Sequence, residues 1–221
     1  MSDYKYIFMT GAPGSKWSSV SKHIYYSKDV DHSDYSEDRT YFHDAPGSMQ
    51  LMHLGAYFDP QMEFGDFFDR LDQYSKEDIE VELDKPFSGT GKRIVKSHSF
   101  SNHLSFIRKT WPECPIITVE RSNDSCLGWW VKCGHFNITY PNYNYFKNFR
   151  SMNEHIANEN FNILRFREER TYYRPLDNHQ LAKLLGIAPI ENKQVYSDND
   201  ISVSLFHGDV VNRARSGKDY E

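Results

Sequence analysis

The sequence predicts an α/β fold, with three α/β/α layers around a mainly parallel central sheet. A buried strand near the N-terminus runs into a glycine-rich turn and then a helix. Two later apolar runs, near residues 94 and 116, each end in polar residues and precede a helical stretch. Strands that alternate with helices in this way are typical of parallel sheets flanked by helices.

The first strand and its turn predict a phosphate-binding loop. The apolar run at residues 6–9 predicts a buried strand, and the glycine and proline residues at 11–14 predict a turn. A helix over residues 17–26 follows, with Ser15 as its N-cap. Such a turn directs backbone N–H groups and a helix N-terminus at one point, which favours an anion.

This loop differs from the metal–ATP loop G-x-x-x-x-G-K-[ST], which requires Gly, Lys and Ser at positions 16, 17 and 18. The chain has Lys16, Trp17 and Ser18 there. The sequence therefore predicts a phosphate cradle without the metal–ATP signature. The simpler alternative is a turn that only precedes an amphipathic helix.

Two further strands place polar residues beside this turn. Residues 93–97 predict a short strand that ends at His98, and residues 115–120 predict a buried strand that ends at Arg121. Ligands of open parallel sheets bind beyond the carboxyl ends of the strands. We therefore expect the turn, Lys96 and His98, and Arg121 to lie on one rim and to form one site.

The remaining elements complete the predicted layers. Residues 102–111 predict a helix that Pro112 ends, and another helix begins at Asn123 or Asp124. Apolar residues at helical spacing predict a core helix within 143–158. A strand at 162–167 would then bring the parallel strands to at least four.

Length and spacing indicate one domain, residues 1–221, with a long insert at about residues 28–92. This connection is far longer than an ordinary link between a helix and a strand. It contains a predicted helix at 64–74. Long insertions near strand ends often form lids or walls of binding sites.

Composition excludes several classes of protein. The formal net charge of −5 argues against a nucleic-acid binder that works by broad electrostatic attraction. The three cysteines, Cys114, Cys126 and Cys133, lack metal-site spacing and are typical of reduced thiols in a cytoplasmic protein, so no metal is expected. No apolar stretch approaches a membrane span or a signal-peptide core, so no membrane partner is expected.

The order of these motifs resembles the sulfotransferases that use 3′-phosphoadenosine 5′-phosphosulfate (PAPS). In cytosolic members of that family a loop P-K-S-G-T-T-W follows the first strand, a strand ending K-T-H follows later, and a third strand ends in R-N before a helix. The corresponding segments here are Pro13-Gly14-Ser15-Lys16-Trp17-Ser18, Val95-Lys96-Ser97-His98 and Glu120-Arg121-Ser122-Asn123. Residues 175–187 also resemble the family's late helix. The likeness covers about half of the chain.

The resemblance implies a P-loop-like, sulfotransferase-type fold and transfer of a sulfuryl group to a hydroxyl or amine of a small-molecule or glycan acceptor. The product of the donor would be 3′-phosphoadenosine 5′-phosphate (PAP). His98 would be the general base, with Lys16 or Lys96 stabilising the phosphosulfate. The donor would contact Pro13, Gly14, Ser15, Lys16, Trp17, Ser18, Ser19, Arg121, Ser125, Arg213 and Arg215.

Each of these roles has a simpler alternative. His98 can be a capping histidine, and Lys16 an ordinary solvated lysine. Trp17 can pack under the loop instead of stacking on adenine. Arg121 can form an ion pair with Glu120 or Asp124, and the two C-terminal arginines can belong to a charged tail. In the insert we expect Asp44, His53 and Asp59 to bind the acceptor, with loop capping as the alternative for each.

Two other functions fit parts of the pattern. A small-molecule kinase with a degenerate loop would need a lysine where Trp17 stands and an acidic residue such as Glu120 to bind Mg²⁺. A non-catalytic nucleotide-binding protein would keep the loop but would tolerate His98→Ala.

Overall fold

The computed structural model describes residues 3–37, 41–45, 48–59, 64, 68–132, 148–168, 177–191 and 201–207, and of 41–53 and 168 it describes the backbone only. These residues form a mixed α/β structure around an open four-stranded sheet. The class predicted from the sequence is therefore confirmed at this coarser level.

The central strand of the sheet is β1 (Tyr6–Gly11), and all of its residues are buried. It pairs in parallel with β4 (Arg93–Lys96) on one side and with β5 (Ile116–Arg121) on the other. Strand β6 (Ile201–Phe206) pairs antiparallel with β5 at the sheet edge. The order is thus β4-β1-β5-β6, and the sheet is only partly parallel.

A separate antiparallel hairpin lies in the insert, formed by β2 (Tyr41–Ala45) and β3 (Ser48–His53). The helices are α1 (Trp17–Tyr25), α2 (Lys76–Asp84), α3 (Leu104–Thr110), α4 (Asn123–Lys132), α5 (Phe149–Glu168) and α6 (Asn178–Leu185), with 3₁₀ segments at Phe68–Gln73 and Ser99–Asn102.

Local sequence explains where two helices begin. The Ser75 hydroxyl accepts a hydrogen bond from the Asp78 amide and so caps α2. Asp177 and Gln180 form a reciprocal capping box at the start of α6. Gly186, in the left-handed conformation, ends α6. None of the described helices is long and apolar enough to cross a membrane.

The core is built largely from aromatic rings. Phe8 on β1 contacts Phe100 and Trp111, with ring centroids 5.7 and 5.1 Å apart. At the β6 edge of the sheet, the ring centroids of Phe166 on α5 and Phe206 on β6 are 4.6 Å apart. Burial of such rings supplies much of the free energy that holds the helices on the sheet.

The strands predicted at residues 6–9, 93–97 and 115–120 are confirmed within one or two residues at their ends. The strand predicted at 162–167 is wrong, because these residues lie in α5. Ile163 and Phe166 are buried and three residues apart, which is the spacing of a helix face. The fourth strand is β6, which the prediction lacked.

Helix predictions were close in position and inexact in type. Helix α1 begins at Trp17 as predicted, but Lys16 occupies its N-cap position and Ser15 does not cap it. The helix predicted at 102–111 is confirmed as α3, Leu104–Thr110, and a 3₁₀ turn at Ser99–Asn102 precedes it. Within 64–74 the described helical residues are the 3₁₀ segment, and the stretch 143–147 lies outside the described residues.

Candidate functional site

The three parallel strands bring the predicted site residues to one edge of the sheet. Met9 of β1 is opposite Lys96 of β4, and Gly11 is opposite Val119 of β5. Because the strands share one direction, the residues that follow them emerge at the same rim. The glycine turn, His98 and Arg121 all lie there.

The turn after β1 packs closely on α4. Gly14 has φ +82°, and a Cβ at this position would lie 2.3 Å from the carbonyl oxygen of Cys126. Only glycine fits such a backbone contact and conformation together. Ser15 is fully buried, its amide donates to the Ala12 carbonyl at 2.9 Å, and its hydroxyl has no hydrogen-bond partner.

At the start of α1, a partly exposed lysine, Lys16, is followed by a buried tryptophan, Trp17. Lys16 has φ 65°, and its ammonium lies 4.8 Å from the ring centroid of Trp129. Trp17 is 3% exposed and stacks on Tyr57 with centroids 5.5 Å apart. Trp17 therefore packs inside the protein, which is the simpler of the two roles considered for it. Pro13 is buried, Ser18 half-buried and Ser19 exposed.

His98 is buried directly beneath this turn. Its Nδ1 lies 2.5 Å from the carbonyl oxygen of Gly11. Since a carbonyl oxygen only accepts hydrogen bonds, Nδ1 is the ring nitrogen that bears a hydrogen, and Nε2 is the one at which the ring can take up a further proton. The edges of Trp17 and Tyr57 hold the ring on two sides, at centroid distances of 5.1 and 5.8 Å.

A buried carboxylate that the sequence prediction missed lies behind His98. Glu159 of α5 is fully buried, and its Oε2 lies 3.6 Å from the Nδ1 of His98. Its Oε1 lies 2.9 Å from the Nε2 of His155. The available signal was its position between Ile156 and Ile163 on the inner side of a helix, where a lone carboxylate needs compensation.

Lys96 faces the insert. Its side chain is fully buried, and its ammonium donates to the carbonyl oxygen of Leu54. Burial lowers the pKa of Lys96 to about 8, although the Asp34 carboxylate partly opposes this shift. Of the two lysines proposed for the donor, Lys16 is therefore the one that lies on the loop.

The depressed pKa of Lys96, about 8, predicts that stability rises with pH. In the unfolded chain a lysine keeps its proton up to about pH 10.4, so between these values the unfolded state binds more protons than the folded state. We expect the free energy of unfolding in urea to rise by about 1–2 kcal/mol from pH 8 to about 9.5. The rise should vanish in Lys96→Met and persist in Lys109→Met, which alters an exposed lysine. Equal rises in both variants would contradict this assignment.

The insert is fastened to the end of β4 through Asp59. This buried carboxylate accepts hydrogen bonds from the Tyr57 hydroxyl at 2.5 Å, from the Ser99 amide at 3.1 Å and from the Ser97 hydroxyl. The Phe58 amide donates to the Lys96 carbonyl at 2.9 Å. Asp59 thus fixes residues 54–59 as one wall of the site, in the manner of a loop cap.

Arg121 reaches the turn from the third strand. Its Nη1 donates to the carbonyl oxygen of Gly14 at 3.2 Å. Glu120, one of the ion-pair partners considered for Arg121, pairs instead with Arg167. Ser125 is half-buried in the first turns of α4, and its amide donates to the Ser122 hydroxyl at 3.2 Å.

The structure describes no side chain for four of the predicted residues. The side chains of Asp44 and His53, on the hairpin strands, lie outside the described part of the molecule, as do Arg213 and Arg215 altogether. Among the residues that are described, no group of three or more His, Cys, Asp or Glu side chains could hold a metal ion.

The described rim thus combines a glycine turn that packs on α4, the partly exposed Lys16, the Arg121 guanidinium that donates to the Gly14 carbonyl, and a buried histidine whose Nδ1 faces the Gly11 carbonyl. No protein-family model, curated protein or solved structure matches the chain.

Proposed function

We propose that this protein is a PAPS-dependent sulfotransferase that acts on a hydroxyl or amine acceptor, within a P-loop-like fold. The observation that carries the proposal is the orientation of His98 at the rim. Its Nδ1 faces the Gly11 carbonyl at 2.5 Å, which leaves Nε2 as the proton acceptor beside the loop.

His98 acts as the general base in this mechanism. Nε2 takes the proton of the acceptor hydroxyl while the acceptor oxygen forms a bond to the sulfur of the donor. The bond between that sulfur and the bridging phosphate oxygen breaks, and its electron pair stays on PAP. The proton on His98 then leaves to solvent. Atoms and charge balance without a metal or a redox partner.

Cations and amides around the loop stabilise the charge that develops on the phosphate. Lys16 and the backbone amides between Gly14 and Ser18, other than that of Ser15, which donates to the Ala12 carbonyl, would hold the 5′-phosphosulfate and would stabilise the charge that develops on the leaving oxygen. Arg121 would bind the 3′-phosphate with its planar guanidinium, and in doing so would exchange its bond to the Gly14 carbonyl for phosphate oxygens.

The insert segment 54–59 would form the acceptor wall. Tyr57 contacts both Trp17 and His98, so an acceptor that approaches Nε2 would meet aromatic edges beside the base. A kinase has less support at this rim. The Glu120 carboxylate that would bind Mg²⁺ is held by Arg167, and Trp17 is buried at the position of the kinase lysine.

Thermal unfolding with PAP, ADP, and ATP plus Mg²⁺ tests this proposal. PAP at about 100 times its dissociation constant should stabilise the protein by roughly 2.7 kcal/mol, whereas the other two should stabilise it less. Arg121→Ala should abolish the effect of PAP, because it removes the cation assigned to the 3′-phosphate. Arg108→Ala, on α3, is the matched control and should keep it.

Stabilisation by ATP plus Mg²⁺ alone would overturn the sulfotransferase proposal in favour of a kinase. If PAP stabilises Arg121→Ala as much as it stabilises the original protein, PAP binding is supported but Arg121 does not bind the 3′-phosphate.

A further inference from the structure

We propose that Glu159 is a positioning residue that orients His98 and stabilises its protonated form, and that His155 sets how much of the Glu159 charge is available for this. The inference rests on the proposed function, since it assigns the charge partner of the proposed base. It starts from the contacts of one buried carboxylate with two histidines.

Glu159 is a carboxylate without access to water. It is fully buried, and neither of its oxygens accepts a hydrogen bond of good geometry. Leaving such a group uncompensated is costly, because burial removes its hydration. Its ion-pair contacts in the described structure are the two ring nitrogens, Nδ1 of His98 at 3.6 Å and Nε2 of His155 at 2.9 Å.

The two histidines compete for this one negative charge. Burial favours neutral His155, but the pull of the Glu159 carboxylate, with a smaller contribution from Asp59, outweighs it and raises the pKa of His155 above its ordinary value. His155, with its Nε2 2.9 Å from Oε1, is thus the nearer of the two partners of Glu159. His98 meanwhile donates from Nδ1 to the Gly11 carbonyl.

The balance changes when His98 takes the acceptor proton at Nε2. The ring then carries a positive charge, and its Nδ1 faces both the Gly11 carbonyl and the Glu159 carboxylate. An anion 3.6 Å away in a dry site stabilises this imidazolium, and it does so only after proton transfer has begun. The rings of Trp17 and Tyr57 also contact His98, and they carry no charge.

This arrangement predicts opposite effects of removing the anion and removing the competing cation. Without the carboxylate, in Glu159→Gln, both histidines should hold their protons less strongly. Without the competing cation, in His155→Asn, the whole charge of Glu159 faces His98, which should hold its proton more strongly. A side chain that only fills space would not shift His98 in both directions.

Histidine ring signals in ¹⁵N NMR, followed across pH, test the inference without any turnover. We expect the titration midpoint of the His98 ring to fall by about one pH unit in Glu159→Gln and to rise in His155→Asn. The pKa of His155 should fall in Glu159→Gln, because only the smaller contribution of Asp59 then opposes the effect of burial. Glu154→Gln, an exposed residue of α5, is the matched control and should move neither signal.

The inference is overturned if the titration midpoint of His98 stays unchanged in a folded variant, either Glu159→Gln or His155→Asn. It is also overturned if the midpoint moves in the same direction in both variants. If Glu159→Gln does not fold, His155→Asn decides alone. Since none of these measurements uses the donor, they fail or succeed independently of PAP binding, which tests the proposed function.

Discussion

Replacing His98 with alanine is expected to slow the proposed sulfuryl transfer by about 10²–10⁴-fold, the usual loss when a positioned base is removed. PAP should still stabilise the variant, because Lys16 and Arg121 remain, although the folded protein loses the hydrogen bond from the imidazole Nδ1 to the Gly11 carbonyl. The measurement is PAP formed from PAPS, with the acceptor that gives the highest rate among simple phenols, alcohols, amines and glycans.

The control for this variant is His179→Ala. His179 lies on α6 and contacts the Ile190 carbonyl at 2.9 Å, away from the rim, so its loss should leave the rate unchanged. An undiminished rate in His98→Ala would remove the base from the mechanism and favour a role for the ring in packing.

Gly14→Ala is expected to abolish stabilisation by PAP and to weaken the fold itself. The left-handed backbone conformation alone costs a residue with a Cβ about 1–2 kcal/mol. The Cβ would also lie 2.3 Å from the Cys126 carbonyl oxygen, which raises this cost further because the backbone of the loop or of α4 must move. Urea unfolding, with and without PAP, measures both effects.

Gly128→Ala is a closely matched comparison, since it adds the same methyl group nearby on α4. A Cβ at Gly128 meets nothing within 4 Å, and alanine favours a helix over glycine by about 1 kcal/mol. This variant should be at least as stable as the original protein and should still bind PAP. A Gly14→Ala protein that binds PAP equally well would exclude the loop as the donor cradle.

The parts of the fold that were predictable are those in which local pattern and topology agree. Short apolar runs that end in polar residues identified β1, β4 and β5, and the rule that parallel strands share one rim placed His98 and Arg121 together. The segment 162–167 failed because an apolar run of this length fits a strand or one turn of a buried helix. The helix extends across it since Met152, Ile156, Ile163 and Phe166 continue one buried face.

The parts of the site that were not predictable depend on packing between distant segments. Nothing near His98 in the sequence indicates that Glu159 lies behind its ring, because that contact depends on how α5 packs on the sheet. The direction of Lys96 is a similar case. Its position at the end of β4 suggested an ammonium that faces a ligand. Instead, the Lys96 ammonium is buried and donates a hydrogen bond to the Leu54 carbonyl of the insert.

The most direct test of the account is a crystal structure of the protein with PAP bound. We expect the 5′-phosphate to lie against the loop at residues 13–19, the 3′-phosphate to lie against Arg121, and the Nε2 of His98 to face the space next to the 5′-phosphate. PAP bound away from this rim, or bound there with His98 Nε2 turned from the 5′-phosphate, would contradict it.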